Sequence, residues 1–445
     1  MNNEYMLKQK PWKSILKFAL PLMAANTLQQ LYNTVDTLVV GNFDSQSSLA
    51  AVGSCSYLVM LFLALAIGLS TGSGILISQS YGANDTNKMK RVSGTSITFL
   101  TMLGLLMSIV TWFIGPYILK YVIKVPNSIY SLSVLYLRSY AIGLVFQYGY
   151  NAIAASLRAL GDSQSSLYFL LITSICNIVL DLVFVIIFNW SIIGVGLATT
   201  ISQCISMIIA YIYMAKKYPM FKYEKNMYHN DKSIIKSIID LGVPMAFAQM
   251  VSSLGFMLLQ RVVNSYGEMM AASYTVACRL EIYMLVPNIA ISQAIATYTG
   301  QNYGAKKFNR IKQGIMQSNF ILIIIDLIIG ILAFMFTYQL IGLFNLNGQS
   351  IIYCATHLRI VAADFILNGL RGTVLGAFQG VGKSKLSMYC SATEIICRVI
   401  FAYVLSSVLG PGAVWWPEVI AFAVSMIMAY VMYYSNYWQK DLILK

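Results

Sequence analysis

Apolar residues run in long blocks from one end of the chain to the other, separated by short polar breaks. Each block reaches the roughly 20 residues that a helix needs to cross a hydrocarbon layer. The pattern predicts twelve spans, at 14–40, 50–80, 92–115, 129–157, 166–188, 192–214, 235–264, 271–300, 315–337, 350–377, 386–408 and 413–436. Helix breakers mark the gaps, among them Gly115-Pro116, Gly161-Asp162, Gly267-Glu268 and Gly410-Pro411-Gly412. The longest polar stretch, Lys216 to Ser233, has the length of a linker, not of a folded domain. The predicted fold class is therefore all-α polytopic membrane protein. One six-helix bundle covers 1–215, a linker 216–233, and a second six-helix bundle 234–445. Lysines 8, 10, 13 and 17 could pass for the head of a signal peptide. The apolar run that follows continues to about Val40 with no small-residue cleavage site, so it is read as a retained span.

Composition agrees. Of 445 residues, 58% are hydrophobic and 10% charged, against about 25% charged in soluble domains. Twelve spans put both termini on one side, and the positive-inside rule says which. Twenty-two Lys and Arg fall in the segments on the side of the termini, while the opposite loops hold only Lys120 and Lys124. Both termini are thus expected in the cytoplasm, with the protein in the cell membrane. The net charge of +14 follows from those loops facing anionic lipid headgroups, and no nucleic-acid partner is expected. The seven cysteines form no CxxC pair and read as small apolar side chains. His229 and His357, the two histidines, have no neighbouring ligand pattern, so neither a zinc nor a haem centre is expected. No Ser/His or metal-ligand constellation suggests an enzyme.

The chain repeats itself at an offset near 222. Ser78-Gln79-Ser80-Tyr81-Gly82-Ala83 matches Gly300-Gln301-Asn302-Tyr303-Gly304-Ala305, each after the second span of its half. Gly161, Ser163, Ser166 and Tyr168 match Gly382, Ser384, Ser387 and Tyr389 after the fourth span, and Pro21 and Pro244 sit alike in the first spans. Six spans per half is an even number, so the halves share one orientation and a pseudo-twofold along the membrane normal relates them. Such a design places a cavity between two bundles that rock against each other, the usual plan of a transporter.

A carboxylate inside a span is costly and asks for a reason. The acidic candidates within predicted spans are Asp36, Asp181, Glu281, Asp326, Asp364, Glu394 and Glu418. Glu394 and Arg398 are four apart and can pair on one helix face. Glu418 follows Trp415-Trp416-Pro417, a composition suited to a membrane interface. Asp36 and Asp181 have no such excuse. Both fall near the outer ends of outward-running spans, roughly 8–11 Å below the surface at about 1.5 Å per residue. Asn177 precedes Asp181 by one turn, and Thr199 lies at a similar depth in the sixth span. Two carboxylates, an amide and a hydroxyl at one level make an oxygen-rich site. It suits Na⁺, or a proton held by a carboxyl whose charged form is desolvated; helix–helix hydrogen bonding is the structural alternative. The repeat sets Leu259, Arg398 and Ala402 opposite Asp36, Asn177 and Asp181, so the second half is expected to lack the constellation. Tyr32, Tyr140, Gln147 and Asn151, polar positions on spans 1 and 4 of the same half, are the candidate substrate-cavity residues.

The whole chain resembles the multidrug and toxic compound extrusion (MATE) family. The likeness is carried by Leu31-Tyr32-Asn33, Asp36 and Gly41, by Gln79 to Ala83, by Arg158 to Asp162, by Asn177 and Asp181, by Gly194 to Gln203, by Gln301 to Ala305 and by Gly412 to Trp416. The resemblance implies a two-bundle fold and H⁺- or Na⁺-driven export of organic, often cationic or amphiphilic, compounds. It also implies a cation site at Asp36, Asn177, Asp181 and Thr199. Some members carry an acid in the seventh span; here 234–265 holds only Asp240, at its cytoplasmic end, leaving Asp364 in span 10 as a candidate for a residual role.

The expected function is secondary antiport of H⁺ or Na⁺ against small organic substrates by a monomer in the lipid bilayer, with no other cofactor. The alternative is a lipid-linked oligosaccharide flippase of the same superfamily, which the intramembrane arginines 138, 261, 279, 359, 371 and 398 keep open. Gly376 to Ser384 imitates a phosphate-binding loop, but its glycine spacing is one residue too long and no strand precedes it, so no nucleotide is expected.

Overall fold

A computed structural model describes residues 4–43, 45–222, 231–344, 346–362, 364–409 and 414–435. They are helical, with no strand among them. The first half runs α1 (Tyr5–Lys8), α2 (Pro11–Phe43), α3 (Gln46–Gly82), α4 (Thr86–Tyr117), α5 (Asn127–Ala159), α6 (Gln164–Leu182) and α7 (Ser191–Lys217). The second runs α8 (Lys232–Asn264), α9 (Glu268–Met284), α10 (Val286–Gly304), α11 (Phe308–Met335), α12 (Thr337–Gly342), α13 (Gln349–Val361), α14 (Phe365–Gly380), α15 (Ser384–Leu409) and α16 (Trp416–Tyr434). Side-chain caps start some of them where the pattern predicted a break. Ser45 accepts from the Ser48 amide at 3.1 Å ahead of α3, and Asp85 from the Lys88 amide at 2.9 Å ahead of α4.

Among the described residues nine helices are long and apolar enough to cross a membrane, and two bent pairs raise that to eleven; α2 covers the predicted first span. The bent pairs distinguish the halves. Predicted spans 8 and 10 are each broken, α9 from α10 by 42° and α13 from α14 by 47°. Pro287 at the start of α10 explains the first break, since proline has no N–H to bond back to the preceding turn. The matching spans of the first half, α3 and α5, run unbroken.

By packing, the chain forms two compact units, Ala24–Ala246 and Met1–Met23 with Phe247–Lys445. The 216–233 linker was expected to part the halves, whereas these divisions fall inside α2 and α8, within three residues of the repeated prolines Pro21 and Pro244. In the unit of Met1–Met23 and Phe247–Lys445, Met6, Ile15 and Phe18 lie in one core with Ile295, Tyr298 and Phe378. Arg310 donates to the carbonyls of Met6 and Gln9, at 3.1 and 2.6 Å, and Asn302 donates to the Met6 carbonyl at 3.2 Å. In the unit Ala24–Ala246, Phe221, Ile234 and Ile238 join the core of Phe62, Leu69, Leu144 and Tyr148. Arg91 pairs with Asp231, and buried Asp162 accepts from Lys217 Nζ at 2.8 Å and from Tyr213 at 3.1 Å. Gly72 and Gly242 bring α3 and α8 together there: a Cβ on Gly72 would lie 2.8 Å from the Gly242 nitrogen.

The repeat reaches down to single hydrogen bonds. Amides 83, 84 and 85 bond carbonyls 79, 81 and 80, and amides 305, 306 and 307 bond 301, 303 and 302. The residue that turns the chain is left-handed in both, Asn84 at φ 59° and Lys306 at φ 58°. Asparagine tolerates that conformation, whereas it costs a lysine about 1 kcal/mol. Lys306→Asn is therefore expected to raise the unfolding temperature of the purified protein in detergent. An unchanged or lower value would contradict the equivalence of the two turns.

Candidate cation sites

Asn177 and Asp181 stand one turn apart on α6 and are fully buried. In the orientation its neighbours require, the Asn177 amide donates to Asp181 Oδ2 at 3.1 Å and to the Tyr32 hydroxyl at 3.2 Å, and its oxygen accepts from the Thr199 amide at 3.2 Å. One side chain thus ties α6 to α2 and α7. Immediately after Asp181 the helix widens into a π-type turn at Val183–Ile187, a distortion often found beside functional groups. Helix α7 is held against α5 by Thr200, whose hydroxyl donates to the Ser139 carbonyl at 2.9 Å, and by Gly143, where a Cβ would meet that hydroxyl at 2.9 Å.

Of the predicted cation set, then, the structure brings Asn177, Asp181 and Thr199 together. Thr199 differs in detail: its amide, not its hydroxyl, reaches Asn177. The hydroxyl donates to the Val195 carbonyl at 3.1 Å, which leaves its oxygen lone pairs available to a cation. Asp36 lies in α2, four residues beyond Tyr32, with its side chain outside the described residues. Tyr32, expected in the substrate cavity, belongs to the polar cluster. The other three cavity candidates form a ladder along α5, where Tyr140 donates to Gln147 Oε1 at 3.1 Å and Asn151 to the Gln147 carbonyl at 2.8 Å.

The second half has Leu259, Arg398 and Ala402 where the first has Asp36, Asn177 and Asp181, but the structure gathers a different set of acids there. Arg398 on α15 pairs with Glu394 at 2.9 Å and with Glu418 on α16 at 2.6 Å. Arg371 on α14 lies 3.9 Å from Glu394, and His357 on α13 lies 3.9 Å from both Glu281 on α9 and Glu418. All but Arg371 are buried. Glu418 is therefore enclosed by protein. Asp364, also buried, stands at the break between α13 and α14. Sequence reasoning found only the Glu394–Arg398 pair, because the other members come from helices far apart in the chain. The one available signal was the repeat, which sets Arg398 opposite Asn177: the same place binds a carboxylate in each half, Asp181 by an amide in one and Glu394 and Glu418 by a guanidinium in the other.

A family model described as MatE matches this chain twice, over residues 21–183 and 244–404. The probable multidrug resistance protein YoeA of Bacillus subtilis (strain 168) is 28% identical over 97% of this chain and 96% of its own length. The probable multidrug resistance protein YpnP of the same organism is 26% identical over 96% of each. A solved structure of a MOP superfamily transporter from Pyrococcus furiosus Vc1 (DSM3638) superposes with a TM-score of 0.92 at 24% identity, covering 99% of both chains.

Removing one partner of a buried ion pair strands the other, at about 3–5 kcal/mol. Arg398→Leu should therefore destabilise the protein by that order, read as a large fall in unfolding temperature in detergent. Asn177→Ala, which breaks bonds to neutral groups and one carboxylate, should cost about 1–3 kcal/mol. Equal stability of Arg398→Leu and the parent protein would contradict the pairing.

Proposed function

Because the chain belongs to the MatE family of multidrug and toxic compound extrusion transporters, we propose that it is a secondary antiporter that couples inward movement of H⁺ or Na⁺ to export of organic, cationic or amphiphilic compounds. The observation that carries this reading is the buried Asn177–Asp181 pair with Tyr32 and Thr199 around it. A carboxylate buried in a span is costly in its charged form. Uptake of a cation neutralises it, and return of the carboxylate to its charged form accompanies release. Asp36, one turn from Tyr32 on α2, supplies the second carboxylate of the proposed site. Cation uptake from outside biases the outward-open state, substrate leaves, and cation release to the cytoplasm resets the cycle. A ligand shifts such an equilibrium only by its difference in affinity for the two states, and neutralising a buried charge is a large difference.

The similarity to YoeA and YpnP, both described as probable multidrug resistance proteins, supports the substrate class. The Lys and Arg asymmetry of the loops supports a cell-membrane protein with both termini in the cytoplasm. Tyr140, Gln147 and Asn151 are assigned to the substrate path on the strength of their polar ladder along α5.

Proteoliposomes loaded with a fluorescent organic cation, under an imposed ΔpH or ΔNa⁺, test the proposal. Efflux should follow at least one gradient, and Asp181→Asn should reduce it at least tenfold while leaving the elution profile in detergent unchanged. Asp36→Asn should behave alike. Normal coupled efflux by Asp181→Asn would refute the site. Absence of efflux by the parent protein together with movement of lipid-linked oligosaccharide would favour the flippase reading.

A further inference from the structure

The second buried cluster contains an unusual histidine. His357 is 1% exposed, and neither ring nitrogen has a hydrogen-bond partner. Buried polar groups without partners are rare and call for an explanation. The ring is held in place by aromatic neighbours, Trp415 with its centroid 4.4 Å away and Tyr274 at 5.7 Å. Its Nε2 lies 3.9 Å from Glu281 Oε2 and 3.9 Å from Glu418 Oε2. One ligand atom from each of the three residues falls within 4.8 Å of the others.

We infer that Glu281, His357 and Glu418 form a binding site for a divalent transition-metal ion in the C-terminal half. The geometry is close to that of a bound ion. Metal–ligand bonds near 2.1 Å set tetrahedral donors about 3.4 Å apart, so side-chain movements of about half an ångström to just over one close the tripod from separations of 3.9 Å and at most 4.8 Å. One imidazole and two carboxylates favour ions of intermediate hardness, Zn²⁺ or Mn²⁺, over an alkali cation. Arg398 binds the other oxygen of Glu418, at 2.6 Å, and so fixes that carboxylate in the way outer-shell partners orient ligands. The ion would pin α9, α13 and α16 together where α9 and α13 meet the two breaks. No local sequence pattern announced this site, since its ligands are spread over 281, 357 and 418.

The site is separate from Asn177 and Asp181, so its test does not depend on the coupling proposal. Full-length protein is expressed in medium supplemented with Zn²⁺ or Mn²⁺, purified in chelator-free detergent, desalted, and assayed for metal by mass spectrometry. Protein loaded with Co²⁺ gives a visible absorption spectrum as a second readout. About one ion per chain is expected, with a visible spectrum shaped by an imidazole–carboxylate donor set. His357→Gln and Glu281→Gln should each weaken binding at least tenfold, while His229→Gln and Asp181→Asn leave it unchanged. If His357→Gln does not fold, Glu281→Gln and the Co²⁺ spectrum of the parent protein decide. The inference is overturned if the parent protein retains no more metal than His357→Gln or Glu281→Gln, or shows no Co²⁺ spectrum. It is overturned equally if the metal is lost with His229→Gln or Asp181→Asn instead.

Discussion

Placing a carboxylate inside a lipid-spanning bundle is the constraint around which both halves of this protein are arranged. The charged form loses its water, and a partner must make good that loss. The two halves answer differently. At Asp181 one partner of the carboxylate is Asn177, a neutral amide shared with Tyr32 and Thr199. At Glu394 and Glu418 it is Arg398, a permanent charge bound between them. An amide brings no formal charge of its own to the carboxylate, whereas a guanidinium within hydrogen-bonding distance brings a permanent one. Duplication supplied equivalent positions, and the residue type at one of them differs between the halves.

The same asymmetry marks the backbone. Predicted spans 8 and 10 are broken, at Leu285 before Pro287 and at 362–364, while α3 and α5 are continuous. The breaks stand close to Glu281, His357 and Asp364 in sequence. Broken helices in membrane proteins expose backbone groups that need satisfaction and recur beside polar sites. The first half carries its irregularities elsewhere, in π-type turns at Ile118–Ile123 and, after Asp181, at Val183–Ile187.

Much of this was legible in the residues. Apolar blocks of span length placed the helices, because in lipid a backbone must satisfy its own hydrogen bonds. The repeat of Gln79–Ala83 at Gln301–Ala305 survived as identical turn hydrogen bonds. Asn177 and Asp181 could be put on one face because they are one turn apart. What stayed hidden depends on distance along the chain. Glu281, His357 and Glu418 have no local signature, and the interfacial tryptophans beside Glu418 suggested a wetter place than the buried one it occupies. Thr199 was identifiable by depth, but not the use of its amide in place of its hydroxyl. The grouping of Met1–Met23 with Phe247–Lys445 was equally hidden, since the linker, not the middle of α2, looked like the boundary.

The central claim is that cation and substrate compete through the charge state of the Asp181 site. The most direct measurement is ion release from purified protein in weakly buffered detergent solution, followed by pH dye and by ²²Na⁺ retention as an organic-cation substrate is added. The account predicts release of H⁺ or of Na⁺ on substrate addition to the parent protein, and none from Asp181→Asn. Substrate binding that releases neither ion, or release undiminished in Asp181→Asn, would contradict it.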